Sequence, residues 1–374
     1  MGGGEHALYY MLKELNRSKF HPVMVFNQRG AFVDKIQSLE VETIFLPYRN
    51  VMLRSLIRPI VLWQTLNASI SMYRFLKQKN VDVIQCSDVL SLMLIAFSVI
   101  RLRVPVLYSV IFFYEWSRMI AFNLLAVALA SKIITNSSAV EQDMKRRTIF
   151  LAHKIETKYQ GVNTELFRPR REGEVDVLRA ELGIPQDVKL IGMVGRFDPV
   201  KGHMVFLHAA ARILTQRQDV RFVVIGGMLF ADVFPSFRTY HDEVMHCHSK
   251  LGLDKKVFFL PHRDDMPAVM RSFDVLVCPS INEGFSLVIV EAVASGIPVV
   301  ASKTAGAVEV VQNVESVHIA ETGDPDSFAQ HITEALGMKS AAEVSPSASA
   351  VLKGLTWRGY AENMERVYAS FSRT

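Results

Sequence analysis

Cysteine is scarce, with three in 374 residues, and Cys86, Cys247 and Cys278 are odd in number and far apart. That excludes a disulfide framework and fits reduced packing residues of a cytoplasmic protein. Long apolar runs are also missing. The run from Val89 to Ile100 is about 12 residues, short of the roughly 20 that span a bilayer, and no segment has the pattern of a signal peptide. Neither sign of charge dominates: 42 Lys and Arg against 37 Asp and Glu leave +5, so no nucleic-acid partner is expected. What is present is a folded chain's balance, 50% apolar and 21% charged, long enough for two domains of roughly 150 to 200 residues.

Short Val- and Ile-rich runs alternate with helix-like runs, the pattern of parallel sheets with crossover helices. The first half places strands at His21–Phe26, Glu42–Leu46, Asp82–Gln85, Val104–Val110, Lys132–Thr135 and Lys154–Tyr159. The second half places them at Lys189–Val194, Arg221–Ile225, Val257–Phe259, Val275–Cys278, Val299–Ala301 and Ser316–Ala320. Charge and turn formers in FRPRREGEVD, from Phe167 to Asp176, mark the linker. The expected domains are 1–166, 167–355 and a C-terminal helix, 356–374, crossing back to the first. Arg49, Arg54, Arg58, Arg74, Lys77 and Lys79 cluster around Val51, Met52, Leu53, Leu56, Ile57, Ile60, Leu62 and Trp63. This suits a helix lying on an anionic membrane surface, and equally a solvated domain face.

Two segments could carry chemistry. In GMVGRFDPVKGHMVFLHAAARIL a strand ends in a loop holding Gly195, Arg196 and Lys201, followed by an amphipathic helix. Cations beside glycines at a strand's carboxyl end suit a phosphate or diphosphate, although a surface loop could hold them equally. In INEGFSLVIVEAVASGIPVV, Gly284 and Ser286 open a helix that Gly296 and Pro298 stop. Its first amides, at Phe285, Ser286 and Leu287, favour an anion. Glu291 sits mid-helix among apolar residues, about 7 Å further along. An unpartnered carboxylate there costs several kcal/mol, so either an interior arginine or a ligand diol must meet it.

Those stretches resemble the retaining GT-B glycosyltransferases of family 4. The resemblance rests on GRFDPVKG at 195–202 and on E-x7-E from Glu283 to Glu291 followed by EAVASGIPVVASKTAGAVE. Weaker marks agree in order: GGGEHALYYMLKEL, YQGVNTELFRP, FVVIGG and LTWRGYAENMERVY. It implies an α/β GT-B fold, two Rossmann-like domains facing across a cleft, and sugar transfer from a nucleotide diphosphate sugar to an acceptor hydroxyl in glycan, polysaccharide or glycolipid synthesis. It implies further that Gly2 and Gly3, with Arg196 and Lys201, hold the donor diphosphate, that Glu283 addresses sugar hydroxyls, and that Glu291 binds the ribose. Arg196, Lys201 and Glu283 are thus the catalytic candidates. Gly195, Gly284, Phe285, Ser286 and Leu287 complete the donor site, with no cofactor and no obligatory metal. The partners implied are the nucleotide sugar, a glycan or lipid-linked acceptor, and an anionic membrane for a chain peripheral on its cytoplasmic face.

The chain departs from the pattern in three places. PVLYSVI puts Ile111 where the family carries a histidine, Gln160 and Asn163 replace commoner Asn and Asp, and Ala305 replaces one glycine, leaving Gly306 for close approach to the ligand. Two rivals follow: a nucleotide-sugar epimerase on the same fold, and a binding subunit that has lost activity. Asp324-Pro325-Asp326 reads as a helix start, His241, His246 and His248 as an exposed helix, and Asn67 as an unused sequon. No strand precedes GGGEHALYY, so the N-terminal domain is expected to lack its first strand, with roughly ten further apolar residues upstream in the natural protein.

Overall fold

The structure, a computed structural model, describes residues 2–46, 59–111, 124, 127–228, 235–304, 306–338 and 343–371. The chain divides into two compact units, Met1–Gly161 with Trp357–Thr374, and Val162–Thr356.

In the first unit, β1 (Val23–Phe26) pairs in parallel with β2 (Glu42–Phe45). A separate parallel ladder runs in the order β3 (Ile84–Cys86), β4 (Val106–Val110), β5 (Lys132–Thr135), β6 (Ile155–Thr157). Helices α1 (Gly3–Glu14), α2 (Ala31–Gln37), α3 (Pro59–Lys79), α4 (Val89–Leu102) and α5 (Ser138–Arg147) connect them. Among the described residues no hydrogen bond joins β1 to β3, and this break falls where the first strand of a doubly wound order would lie. The two ladders nevertheless share apolar clusters: Met24, Phe26 and Val83 flank one with Leu107 and Ile134, and Val25 and Ile84 flank another with Val106 and Tyr108.

The second unit holds β7 (Lys189–Val194), β8 (Val220–Ile225), β9 (Val257–Leu260), β10 (Val275–Cys278), β11 (Val299–Ser302) and β12 (Val317–Ala320) in one parallel sheet. Their order is β12-β11-β10-β7-β8-β9, the doubly wound arrangement. Every residue of β10 and β11 is buried, as expected when helices cover both faces of a parallel sheet. The helices are α6 (Val177–Leu182), α7 (His203–Gln216), α8 (Pro235–Lys250), α9 (Met266–Met270), α10 (Leu287–Ala294), α11 (Val308–Val311), α12 (Pro325–Leu336) and α13 (Pro346–Gly354). Gly296, in the left-handed region at φ 70°, ends the α10 segment.

The last helix, α14 (Trp357–Ala369), belongs to the first unit. Trp357 stacks on Tyr10 at 5.0 Å, the Asn16 amide donates to Glu365 Oε1 at 2.8 Å, and Arg358 donates to the Glu14 carbonyl at 2.9 Å.

Several expectations need correction. Residues 162–166 lie in the second unit: the Val162 amide donates to the Leu355 carbonyl at 2.8 Å, and Val162 bridges to Thr356. The FRPRREGEVD segment is likewise part of that unit, because its charges find partners beyond the segment: Arg271 pairs with Glu174 at 3.1 Å, and Arg179 with Asp176 at 2.6 Å. The strands expected at 82–85 and 154–159 shrink to β3 and β6. His248 is buried edge-on against Phe259, so the histidines of α8 do not share one exposed face. Arg49, Arg54 and Arg58 and the apolar residues from 51 to 57 lie outside the described residues. Among those described, no helix is long and apolar enough to cross a membrane. The three cysteines are free, with Cys86 and Cys278 buried.

Candidate functional site

In the second sheet the order reverses between β10 and β7. Loops leaving the carboxyl ends of these neighbours turn to opposite faces, which opens a crevice between them. β7 runs into Gly195, Arg196, Phe197 and Asp198, a 3-10 turn over Pro199–Lys201, Gly202, and then α7. β10 runs into Pro279 to Ser286 and then α10. Lys201 and Glu283, 82 residues apart in sequence, meet across that point as an ion pair.

Glu283 is tightly held. Ser280 donates to its Oε2 at 2.7 Å, and the Cys278 thiol lies 3.9 Å from the same oxygen. Burial alone would raise this carboxyl, but the Lys201 ammonium and the Ser280 and Ser286 hydroxyls outweigh burial and keep it below the usual carboxylate range. Arg196 donates to Asp198 Oδ2 from Nε at 3.0 Å and from Nη2 at 2.7 Å. Each of the two cations expected to meet a diphosphate is therefore matched with a carboxylate, and a bound anion would have to share them.

The two loops are fixed by backbone contacts. The Ile281 amide donates to the Val200 carbonyl at 2.8 Å, and Thr304 Oγ1 donates to the Ile281 carbonyl at 2.7 Å. Gly202 stands at φ 77°, and a Cβ there would lie 2.0 Å from the Pro279 carbonyl oxygen. Gly306 donates its amide to the Glu283 carbonyl at 3.2 Å, and a Cβ on it would lie 1.6 Å from the Gly284 oxygen. The close approach made by Gly306 is thus to the backbone that carries Glu283; Ala305 lies outside the described residues.

α10 begins at Leu287, with Ser286 at the N-cap position but no side-chain cap. The Ser286 hydroxyl instead faces Cys278 Sγ at 3.4 Å, and within the first turn the Ile289 amide donates to the Ser286 carbonyl at 3.2 Å, so no side chain occupies the amides of that turn. Glu291 is half-buried, and among the described residues its carboxylate makes no hydrogen bond or ion pair. Burial alone pushes its pKa up to about 7. Among the described residues no interior arginine meets it.

Gly195, Arg196, Lys201, Glu283 to Leu287 and Glu291 therefore gather at one edge of one sheet. Gly2 and Gly3 belong to the other unit, at the start of α1, where the Gly2 amide donates to Glu5 Oε2 at 2.7 Å. Ile111, also in that unit, packs so closely that a Cβ on Gly4 would lie 2.6 Å from its Cδ1. The sequence did not single out Asp198, Ser280 or Thr304. The first two could have been found as short polar residues two and three positions from a charged partner; Thr304 arrives from β11, which no local spacing reveals. His203, stacked on Phe197 at 4.8 Å, is kept neutral by burial first and by Lys201 next, which push its pKa down to about 4. A cavity of about 640 Å³ lies elsewhere in the unit, lined by Arg170, Asp176 and Arg179 among others. Its guanidinium groups are already matched by Asp176 and Asp274, so it offers less to an anion than the switch point.

The family model described as Glycosyltransferase Family 4 matches residues 1–166, and that described as Glycosyl transferases group 1 matches residues 174–348. The D-inositol 3-phosphate glycosyltransferase of Corynebacterium glutamicum (strain R) is 30% identical over 211 residues, 55% of this chain and 49% of that protein. The enzyme of the same description from Mycolicibacterium smegmatis is 30% identical over 246 residues, 65% of this chain and 53% of its own length. The chain spans about half the length of these curated relatives. A glycosyltransferase from Rickettsia africae superposes with a TM-score of 0.81 at 20% identity, covering 99% of this chain and 95% of that one. HepE of Anabaena in complex with UDP does so at 0.78 and 22%, covering 99% and 96%. These likenesses make the fold GT-B, with two Rossmann-like α/β units. With the two models together spanning nearly all of it, the chain belongs to the group 1 and family 4 glycosyltransferases, a family of transferase enzymes.

Proposed function

We propose that the chain transfers a sugar from a uridine diphosphate sugar to an acceptor hydroxyl with retention of anomeric configuration, in glycan or glycolipid synthesis. The observation that carries this reading is the pairing of Lys201 with Glu283 at the switch point, with the unpartnered Glu291 further along the same loop and helix. The solved HepE complexes with UDP and with UDP-glucose support the choice of donor. In this reading the diphosphate rests on the first amides of α10, between Arg196 and Lys201, and the ribose diol meets Glu291. The bond from the anomeric carbon to the diphosphate oxygen breaks, and the positive loop and helix start stabilise the charge that develops there. The acceptor oxygen bonds to the same face of that carbon, and its proton passes to the departing diphosphate. Glu283 holds Lys201 in place and addresses the sugar hydroxyls, and no metal is required in this scheme.

On the first unit, Leu66 and Ile70 of α3 and Phe97 and Ile100 of α4 are exposed, and Tyr73 contacts Phe97 at 5.5 Å. Arg74 and Arg101 lie on the same helices, which favours an anionic membrane surface and a lipid-linked acceptor. The observation that favours a binding protein over an enzyme is Ile111, seated against Gly4 where the family has a histidine.

Two measurements test these readings. Glucose transfer from labelled UDP-glucose to a panel of acceptors separates turnover from binding alone; donor binding without transfer would favour the binding protein. Glu291→Ala removes two charge-assisted hydrogen bonds, each of about 1.5 to 3 kcal/mol, and should weaken UDP at least tenfold by calorimetry. Unchanged affinity would remove Glu291 from the site.

A further inference from the structure

We propose that His318, His331 and Glu334 form a binding site for a divalent transition-metal ion of the zinc type, at the β12 edge of the second sheet and separate from the switch point. His331 and Glu334 lie three apart on α12 and so share one helical face. His331 Nδ1 is 2.9 Å from Glu334 Oε2. His318 comes from a different element: on β12 it points to the same side as Ala320, the side whose core includes Phe328 and Ile332 of α12. Its Nδ1 is 3.9 Å from the same carboxylate oxygen, and the donor atoms of all three residues lie within 4.8 Å of one another.

The contact of His318 with Met338 gives a second observation. Its Nε2 lies 3.3 Å from the thioether sulfur of Met338, just beyond the end of α12. A thioether can only accept, so in this contact Nε2 is the donor, and the tautomer that makes it leaves Nδ1, on the side of Glu334, as an acceptor open to a metal ion. The spacing also suits one. Tetrahedral bonds of about 2.0 to 2.2 Å put neighbouring ligand atoms about 3.3 to 3.6 Å apart, and the separations of 2.9 and 3.9 Å bracket that range.

Two imidazoles and one carboxylate select zinc and its neighbours over magnesium or calcium, which take all-oxygen sets. The Nε2–H contact with Met338 is the outer hydrogen bond that fixes a metal-binding histidine. Side-chain exposures of 20%, 26% and 46% for His318, His331 and Glu334 leave room for entry and for a water as fourth ligand. Of the metal-like patterns in the sequence, Asp324 is engaged instead as the α12 cap, accepting from the Asp326 amide at 2.9 Å, and His248 is buried. A bound ion would clamp β12, the edge strand, to α12.

Titration of the full chain with Zn²⁺ by calorimetry, in buffer free of chelators, tests the site, with thermal unfolding alongside. The expected result is saturable binding of one ion, a rise in unfolding temperature with zinc, and tetrahedral-type visible bands when Co²⁺ replaces it. His331→Ala and Glu334→Gln, both at the surface, should each weaken zinc at least about tenfold and abolish the thermal shift, with circular dichroism unchanged. Zinc binding of the same affinity and stoichiometry in both variants, or no saturable binding by the parent chain, would overturn the proposal.

Discussion

Glu283 and Glu291 are the same side chain eight positions apart, and their surroundings drive their acidities in opposite directions. Burial acts on both. At Glu283 it is outweighed by Lys201 and two serine hydroxyls, whereas at Glu291 nothing opposes it and the pKa reaches about 7. A carboxyl whose folded pKa is raised contributes stability that is fully present below the unfolded value, near 4.5, and is lost as pH rises through 7. Glu291→Gln removes that titration. It should leave stability at pH 4 nearly unchanged and raise it at pH 8 by up to about 3 kcal/mol, the equivalent of the shift at 1.36 kcal/mol per unit. Urea unfolding at the two pH values checks this; an equal effect at both would show that Glu291 titrates in the fold as it does in the unfolded chain.

Among the elements, the loops after β7 and β10 depend on backbone approach more than on side-chain chemistry. Gly202 and Gly323 supply a comparison within one molecule, with φ 77° and 79°. A Cβ at Gly323 meets nothing within 4 Å, whereas one at Gly202 meets the Pro279 carbonyl at 2.0 Å. Gly323→Ala should therefore cost only the left-handed strain, about 1 to 2 kcal/mol. Gly202→Ala carries the same strain and must also push the Pro279–Glu283 loop aside, so it should cost clearly more and weaken nucleotide binding as well. Equal losses in the two variants, by denaturant unfolding, would mean that the loop yields freely.

For the whole molecule, the return of the chain ties the first unit together. Trp357, Ala361, Met364 and Val367 of α14 are buried in it. At about 1.5 to 3 kcal/mol for each of the larger side chains, their loss is on the order of 5 to 9 kcal/mol, comparable with the net stability of a domain. Deleting residues from 357 onward should abolish the unfolding transition of the first unit and leave that of the second. Hydrogen exchange resolved by segment would show protection lost across β4 and β5, and intact protection there would rule the tie out. Transfer activity, where the proposed donor charge is met by Arg196 and Lys201, should persist in EDTA at the same initial rate. A strict requirement for added metal would overturn that part of the proposal, whatever happens at His318.

Local chemistry made much of this protein legible in its sequence. Val-rich runs of four to six residues bounded by turn formers mark the strands, because extended segments buried on both faces read that way. Asp324 before Pro325 fixes a helix start, and glycines beside cations mark the tight loop after β7. The lone glutamate in an apolar helix announces an unmet need for a partner. Other features were decided only when distant segments met. Local spacing did not pair Lys201 with Glu283, since their meeting depends on β7 and β10 being neighbours at the reversal of strand order. It did not give Gly306 its packing on the Gly284 carbonyl, nor residues 162–166 to the second unit. It also left His318, on a strand, unconnected to His331 and Glu334, on a helix. Local patterning sets each element's type and buried face through backbone geometry and solvent. Which charges then neutralise one another, and which remain for a ligand, depends on distances that only the packed sheet brings within a few ångströms.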